Sequence, residues 1–453
     1  MSERLRIVDI ARCFEGAIPA AVATADARGV PNITYISRVH QVDDDRVALS
    51  NQFMSKTSRN LAVNPVAGLL LIDPATHEEF RLTIRFERTE RRGPVFDRLR
   101  TDVERLAELS GLQEVFRLRA ADVFRVLDIE RVNGRWVPLP DPSPPARSLS
   151  ALAELAASID RAADLDAVIE LAIDGLDRVL GYHHVGLLLL DEDRGRLFTI
   201  GGCGFPAENV GSEIELGAGP IGGAVQRCEI HRDTGLRQIA KYSRTVRTSF
   251  ERYGVGPGRE VPIPGLPDAD SRIVVPLHAL GQLVGALVIE HRDPGAFDAV
   301  DEDVLASVAT ILGLAIEQAR SIARGETPAV VADDHDPTVA HGRSAGAVEV
   351  RYFAQDGSVF LDGDYLIKGV AGRILRSLVA EYLERGRTDY TNRELRLDRS
   401  LDLPGFKDNL ESRLVLLKRR LDERGAPMRL DKTGRGRFRM HVDRPLTLLT
   451  IDD

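Results

Sequence analysis

Towards the C-terminus the apolar positions fall into helical spacing. Phe406, Leu410, Leu414, Leu417 and Leu421 recur at i, i+4, i+8, i+11 and i+15, which puts them on one face of a helix running to Arg424. Val415 and Leu416 sit off that stripe and call for a cover, either from a partner or from the hairpin that follows at Met428–Val442. Upstream, Val370, Ile374, Leu375, Leu378, Val379 and Leu383 mark a second amphipathic helix that stops at Gly386, and Thr391 opens a short third one. Before them, Val350–Ala354, Ser358–Leu361 and Asp364–Ile367 read as short strands separated by QDG and DG turns.

The rest of the chain is patterned differently. Residues 17–40 alternate as two strands about the turn ADARGVPN, DRVALSNQF gives a third, and MSKTSRNLAVNPVAGLLLID reads as a short helix and a strand. Two more strands, near 79–88 and 123–130, bracket a helical insert that begins at Pro94. Many short strands at close spacing suggest a small barrel. The middle opens with Leu152, Leu155, Ile159, Leu165, Val168, Ile169, Leu171, Ala172 and Leu176 at helical spacing. It continues as a strand in HHVGLLLLDEDRGRLFTIGG, the segment GPIGGAVQRCEIHRD, the hairpin IVVPLHALGQLVGALVIEHR and a helix from Asp298 to Arg324.

At 453 residues the chain has room for about three domains of ordinary size. Two composition shifts cut it: five prolines in Pro138–Ser148, and the aperiodic Asp, Gly, Ala and Thr-rich stretch Gly325–Ala347. The blocks are therefore 1–137, 149–324 and 348–453, joined by linkers at 138–148 and 325–347. No apolar run is long enough for a bilayer, and the charged start lacks the apolar core of a signal peptide. Cys13, Cys203 and Cys228 are too few and scattered for a disulfide framework or a thiolate zinc site, so a reduced cytoplasm and no metal are expected. His335 and His341, in the second linker, read as solvated side chains.

Charge singles out one segment. Between Lys407 and Arg444 twelve Lys/Arg face six Asp/Glu, a net +6 in a chain of net −9, the asymmetry expected of a nucleic-acid-binding module. The order of strands, three helices and hairpin, with NLESRLVLLKRRL followed by LDKTGRGRFRM, resembles the winged-helix DNA-binding domain of response-regulator transcription factors over some 95 residues. That resemblance places Lys407, Asn409, Ser412 and Arg413 in the major groove of double-stranded DNA. It sends Lys418, Arg419, Arg420, Lys432, Arg435 and Arg437 to phosphates, with Arg435 or Arg437 able to enter a minor groove. A winged helix that contacts protein instead stays open as an alternative.

The N-terminal block carries S-x-x-x-x-S-K-T-x-x-N-L-x-x-N-P from Ser50 to Pro65. With ATADARGVPNITYIS before it, this resembles the split β-barrel of the pyridoxamine 5′-phosphate oxidase-like proteins, which bind flavin mononucleotide (FMN) as homodimers. The resemblance implies that Ser55, Lys56 and Thr57 hold the phosphate near a helix start. It puts Tyr35, Ile36, Ser37, Ser50, Asn51 and Gln52 along the isoalloxazine ring. The arginine and histidine pair with which the true oxidase grips pyridoxal phosphate is missing from DIERVNGRWVPLP.

GPIGGAVQ and VVPL followed by GQLVGALVIE resemble a GAF domain, an α/β sandwich that holds a small molecule or dimerises. Cys203, Cys228, His231 and His278 are the positions a heme, nitrosyl or bilin group would use, though each reads more simply as structural. Val304, Val308, Ile311, Leu312, Ala315 and Ile316 give the last helix a stripe suited to a second subunit. The sum is a multidomain α+β chain of split β-barrel, GAF sandwich and winged helix. It reads as a cytoplasmic, homodimeric transcriptional regulator responding to a small-molecule effector or redox state. The alternatives are an FMN-dependent oxidoreductase with appended regulatory modules, and a protein-binding scaffold.

Overall fold

A computed structural model describes residues 5–15, 18–52, 54–110, 116–132, 134, 147–192, 194–205, 210–239, 265–324, 347–398, 401, 410–434 and 436–451, without the side chains of 108–110 and 324. Elements are numbered in chain order. The first block holds a 3₁₀ segment Ile7–Phe14, then β1 (Ala20–Ala25), β2 (Pro31–Ile36), β3 (Val39–Gln41), β4 (Arg46–Asn51), α1 (Ser55–Val63), β5 (Val66–Ile72), β6 (Glu79–Glu90), α2 (Pro94–Ser110) and β7 (Ala120–Arg131).

The middle block holds α3 (Leu149–Asp160), α4 (Leu165–Asp174), β8 (Val185–Asp191), β9 (Arg196–Cys203), β10 (Glu213–Glu215), α5 (Gly219–Gln226), β11 (His231–Thr234), β12 (Ser271–Ala279), β13 (Gln282–His291) and α6 (Ala299–Arg324). The last holds β14 (Val348–Phe353), β15 (Ser358–Leu361), β16 (Asp364–Ile367), α7 (Gly369–Arg385), β17 (Asp389–Thr391), α8 (Asn392–Leu397), α9 (Leu410–Glu423), β18 (Met428–Gly434), β19 (Arg437–Val442) and β20 (Leu446–Ile451).

Contacts group the chain into two compact units that do not follow the three blocks. One takes Met1–Pro145, Leu216–Val275 and Val288–Leu305; the other takes Ala146–Glu215, Pro276–Leu287 and Ala306–Asp453. The middle block thus contributes to both.

In the first unit the barrel block is a seven-stranded sheet in the order β2-β1-β5-β6-β7-β4-β3. Side chains alternate across it, and Ala67, Leu69 and Leu71 of β5 all point inward. One core collects Val22, Ile36, Val39, Leu49, Leu69, Leu82 and Phe124, so every strand curls its inner face onto the same interior. From the middle block, α5 packs against α2, and β11 pairs with β12, His231 opposite Val274.

In the second unit, β8 is buried along its whole length and pairs with β9, while α3 and α4 are capped by Ser148 and Asp164, whose side chains accept from Ala151 and Ala167 N–H. The last block forms two small sheets, β16-β15-β14-β20 and β17-β19-β18. α7 ends at Gly386, whose φ of 68° is the left-handed cap that glycine adopts most easily. α8 starts in a capping box, Thr391 accepting from Glu394 N–H and Glu394 accepting from Thr391 N–H.

Several elements are not announced by local pattern: β3, β10 and β17 are each three residues long, and β20 runs parallel to β14, Val348 opposite Leu446, a pairing between chain positions about a hundred residues apart.

Candidate functional site

Around α1 the structure gathers the flavin-type positions and separates them by role. Ser55 and Lys56 are exposed on the helix's first turn, and the N-cap, Met54, offers no side-chain acceptor. That end therefore keeps a cation, a hydroxyl and the positive end of the helix for an anion. Thr57 is buried, its Oγ1 accepting from Asn32 Nδ2 at 3.1 Å, so it positions β2 against α1 and does not face outward.

On β2 the alternation decides the rest. Tyr35 is 76% exposed on the outer face, whereas Ile36 is in the barrel core, so the two side chains cannot line one face of a ring together. Ser37 is half-buried. Ser50 is buried, its Oγ accepting from Arg38 N–H at 3.1 Å, and Asn51 donates from Nδ2 to Asp122 at 2.8 Å. Gln52 is different: it is 4% exposed and its Oε1 has no hydrogen-bond partner among the described residues.

The C-terminal cations have a setting that sequence reasoning did not foresee. Lys407, Asn409 and Arg435 lie outside the described residues. Ser412 is wholly buried and accepts from Arg320 Nε and Nη2 of α6 at 3.2 and 3.1 Å. Arg413 is 8% exposed, pairs with Asp191 and lies 4.3 Å above the Phe198 ring; burial pushes its pKa down. Lys418 Nζ meets Asp166 at 2.7 Å, and Arg419 meets the same carboxylate at 3.0 and 2.9 Å through Nε and Nη2. Arg420 is spent within its own module, on the Leu366 carbonyl at 2.8 Å and Glu423 at 2.7 Å. Lys432 pairs with Asp164, and Arg437 is half-buried beside it on the hairpin.

These placements correct the expectation for α9. Ser412 and Arg413 are not offered to a groove here, because α9 is covered on both sides: by its own module and by α4, β9 and α6. The same cover accounts for the two apolar residues off the stripe. Leu416 is buried, with its Cδ1 3.9 Å from where a Cβ on Gly211 would stand, and Val415 faces a cleft. The cover comes from the middle block of the same chain, with Leu430 and Phe438 of the hairpin on the far wall.

That cleft encloses about 500 Å³. Its lining includes the apolar Leu165, Val168, Ala319, Leu414 and Val415 together with carboxylates and cations such as Asp166 and Lys418. Its size is that of an ordinary small-molecule site.

The positions considered for heme or bilin attachment have local explanations. His231 is buried and its Nε2 is 2.7 Å from Asp233 Oδ1; Cys203 donates weakly to the His183 carbonyl at 3.7 Å, and burial raises its pKa. Cys228 is exposed in a left-handed turn and His278 is half-buried on β12. Among the described residues, no cluster of His, Cys, Asp and Glu is placed to hold a metal, and no helix is long and apolar enough to cross a membrane.

Comparison with known proteins bears on two of the blocks. The family profile of pyridoxamine 5′-phosphate oxidase matches residues 9–137, and that of the GAF domain matches residues 162–317. No curated protein matches the chain. Among solved structures, the GAF domain of a phosphoenolpyruvate-protein phosphotransferase from Coxiella burnetii is 20% identical, over 39% of this chain and 96% of that one, with a TM-score of 0.32. An FMN-binding protein from Syntrophomonas wolfei is 20% identical over 28% of this chain and 87% of its own, with a TM-score of 0.25. Free methionine-R-sulfoxide reductase from Neisseria meningitidis is 21% identical over 39% and 95%, with a TM-score of 0.29. The N-terminal part of the chain is thus similar to the pyridoxamine 5′-phosphate oxidase family and the middle part to GAF domains.

Proposed function

We propose that this protein is a sensory regulator in which the flavin-type barrel and the GAF domain control a C-terminal module that binds double-stranded DNA, acting as a homodimer. The observation that carries the DNA reading is the cationic rim of α9 and the β18–β19 hairpin: Lys418, Arg419 and Lys432 all seek anionic oxygens, and in this structure they find carboxylates. The order of strands, α7, α8, α9 and a basic hairpin supports a winged-helix reading of that module. Phosphate contacts of this kind set affinity and register on a duplex.

A labelled duplex offered to the full chain at low salt is expected to bind, and Lys432→Ala with Arg437→Ala is expected to weaken it by about tenfold or more, since each lost phosphate contact also lowers the counterion release on binding. Affinity unchanged by the double substitution sinks the DNA reading in favour of a protein partner for the hairpin.

On the input side, the residues present fit a flavin. Lys56 and Ser55 at an uncapped helix start would hold the phosphate, and the unpartnered Gln52 Oε1 supplies a buried acceptor for a ring N–H. The flavin, when bound, supplies a redox-sensitive chromophore. Chain mixed with FMN and then desalted should keep a yellow absorption band, and Lys56→Ala should weaken FMN binding by about tenfold through loss of a charge-assisted contact. A desalted sample without visible absorption removes FMN from the proposal.

A further inference from the structure

We infer that the acidic face of the GAF domain is a phosphate surrogate that holds the DNA-directed cations of the C-terminal module in an autoinhibited arrangement. This rests on the DNA reading above and adds its regulation. Three carboxylates do the holding. Asp166, on the first turn of α4, accepts from Lys418 at 2.7 Å through one oxygen and from Arg419 at 2.9 and 3.0 Å through the other. Both oxygens of one anion thereby take a lysine and an arginine, as a backbone phosphate does. Asp164, the cap of α4, keeps Oδ1 for Ala167 N–H at 2.9 Å and gives Oδ2 to Lys432. Asp191, at the end of β8, takes Arg413, while Arg320 of α6 donates to Ser412.

The GAF surface is shaped for this contact. Gly201 of β9 carries no side chain where the Arg419 guanidinium arrives: a Cβ there would lie 2.5 Å from Arg419 Nη1 and 3.0 Å from Ile173 Cδ1. Phe198 on the same strand supplies the aromatic face under Arg413.

Two features distinguish a releasable contact from a permanent core. Beside the buried Arg413, the Lys418 and Lys432 side chains are 37% and 51% exposed, where salt and competing anions reach them. The cleft of about 500 Å³ between α4, α6, α9 and the hairpin also leaves part of the junction unpacked. Permanent interfaces are more apolar and close-packed than this. While the carboxylates hold Lys418, Arg419 and Lys432, a duplex has to displace them, and Arg413 and Ser412 stay out of its reach.

The test compares the full chain with its Asp164→Asn/Asp166→Asn/Asp191→Asn form. These changes keep shape and the α4 cap while removing three charges. Anisotropy of a labelled mixed-sequence 30-base-pair duplex is expected to report at least about tenfold tighter binding by the triple variant, within the usual range of coupling between sites. Amide hydrogen exchange of residues 410–423 is expected to quicken in the same variant, a readout that needs no DNA.

Equal DNA affinity of the two forms, with Lys432→Ala and Arg437→Ala still weakening both, overturns the autoinhibition and leaves the DNA reading standing. Unchanged exchange of residues 410–423 also overturns it. Faster exchange with no duplex binding by either form removes the DNA reading, and with it the regulatory meaning of the contact.

Discussion

Replacing Arg105 by Met is expected to lower the stability of the first unit by about 3–5 kcal/mol, the range for removing one partner from a buried charge cluster. Arg105, on α2, is 12% exposed and donates from Nη2 to His231 Nδ1 of β11, with Nη1 3.8 Å from Asp102. His231 in turn is 2.7 Å from Asp233, a carboxylate held down to about 2: burial works to raise it, and the attraction and hydrogen bond of His231, with Arg105 and Arg272 nearby, prevail. Burial brings the Arg105 pKa down to about 10, so the guanidinium stays charged at neutral pH. Without it, Asp102 keeps Arg38 and Arg98 among the described residues, at 3.8 and 3.9 Å, and His231 loses the donor at Nδ1. Urea unfolding followed by exchange at barrel amides measures the loss. A change below about 1 kcal/mol shows that the cluster is not coupled to the fold in this way.

The second large effect is a pH dependence from the same cluster. Burial lowers the pKa of His231 from its ordinary 6.5, and the adjoining Asp233 only partly counters this. The bonding fits a neutral ring: Nδ1 accepts from Arg105 and Nε2–H donates to Asp233. A histidine with a lowered folded pKa takes its proton first in the unfolded chain, so its contribution is full above pH 6.5 and is lost as pH falls below it. The expected slope is at most about 1.4 kcal/mol per pH unit from this group. His40, also lowered mainly by burial, adds to it with the same sign. His231→Gln can keep both contacts, with Oε1 accepting and Nε2 donating, but cannot titrate. The variant should therefore flatten unfolding free energy between pH 6.5 and 5. A slope as steep as that of the unmodified chain shows that His231 is not its source.

Much of the fold was legible because its signals are local. Gly386 ends α7 where the periodicity stops, and Thr391 with Glu394 announces α8 within four residues. Alternation along β1, β2 and β5 gave the barrel strands. β20 was not legible, since its pairing with β14 is decided by distant residues and not by its own pattern. For the candidate sites the division is similar. The helix start at Ser55 and Lys56 follows from SKT ahead of an apolar run.

The opposed faces of Tyr35 and Ile36 needed the strand to be in place. Ser412 and Arg413 read as groove-facing polar residues because their own side chains do not show that β8, β9 and α6 cover them. Val415 and Leu416 were the one trace of that cover in the sequence. They are apolar at positions where a freely exposed helix face would be polar.

The central claim, that the C-terminal cations are built for a polyanion, is tested most directly by the salt dependence of duplex affinity in the full chain carrying Asp164→Asn and Asp166→Asn. Lys418, Arg419, Lys432 and Arg437 meeting four phosphates predict that log affinity falls against log salt with a slope of about −3.6, at about −0.9 per phosphate. A slope near zero, or no duplex binding at low salt, contradicts it.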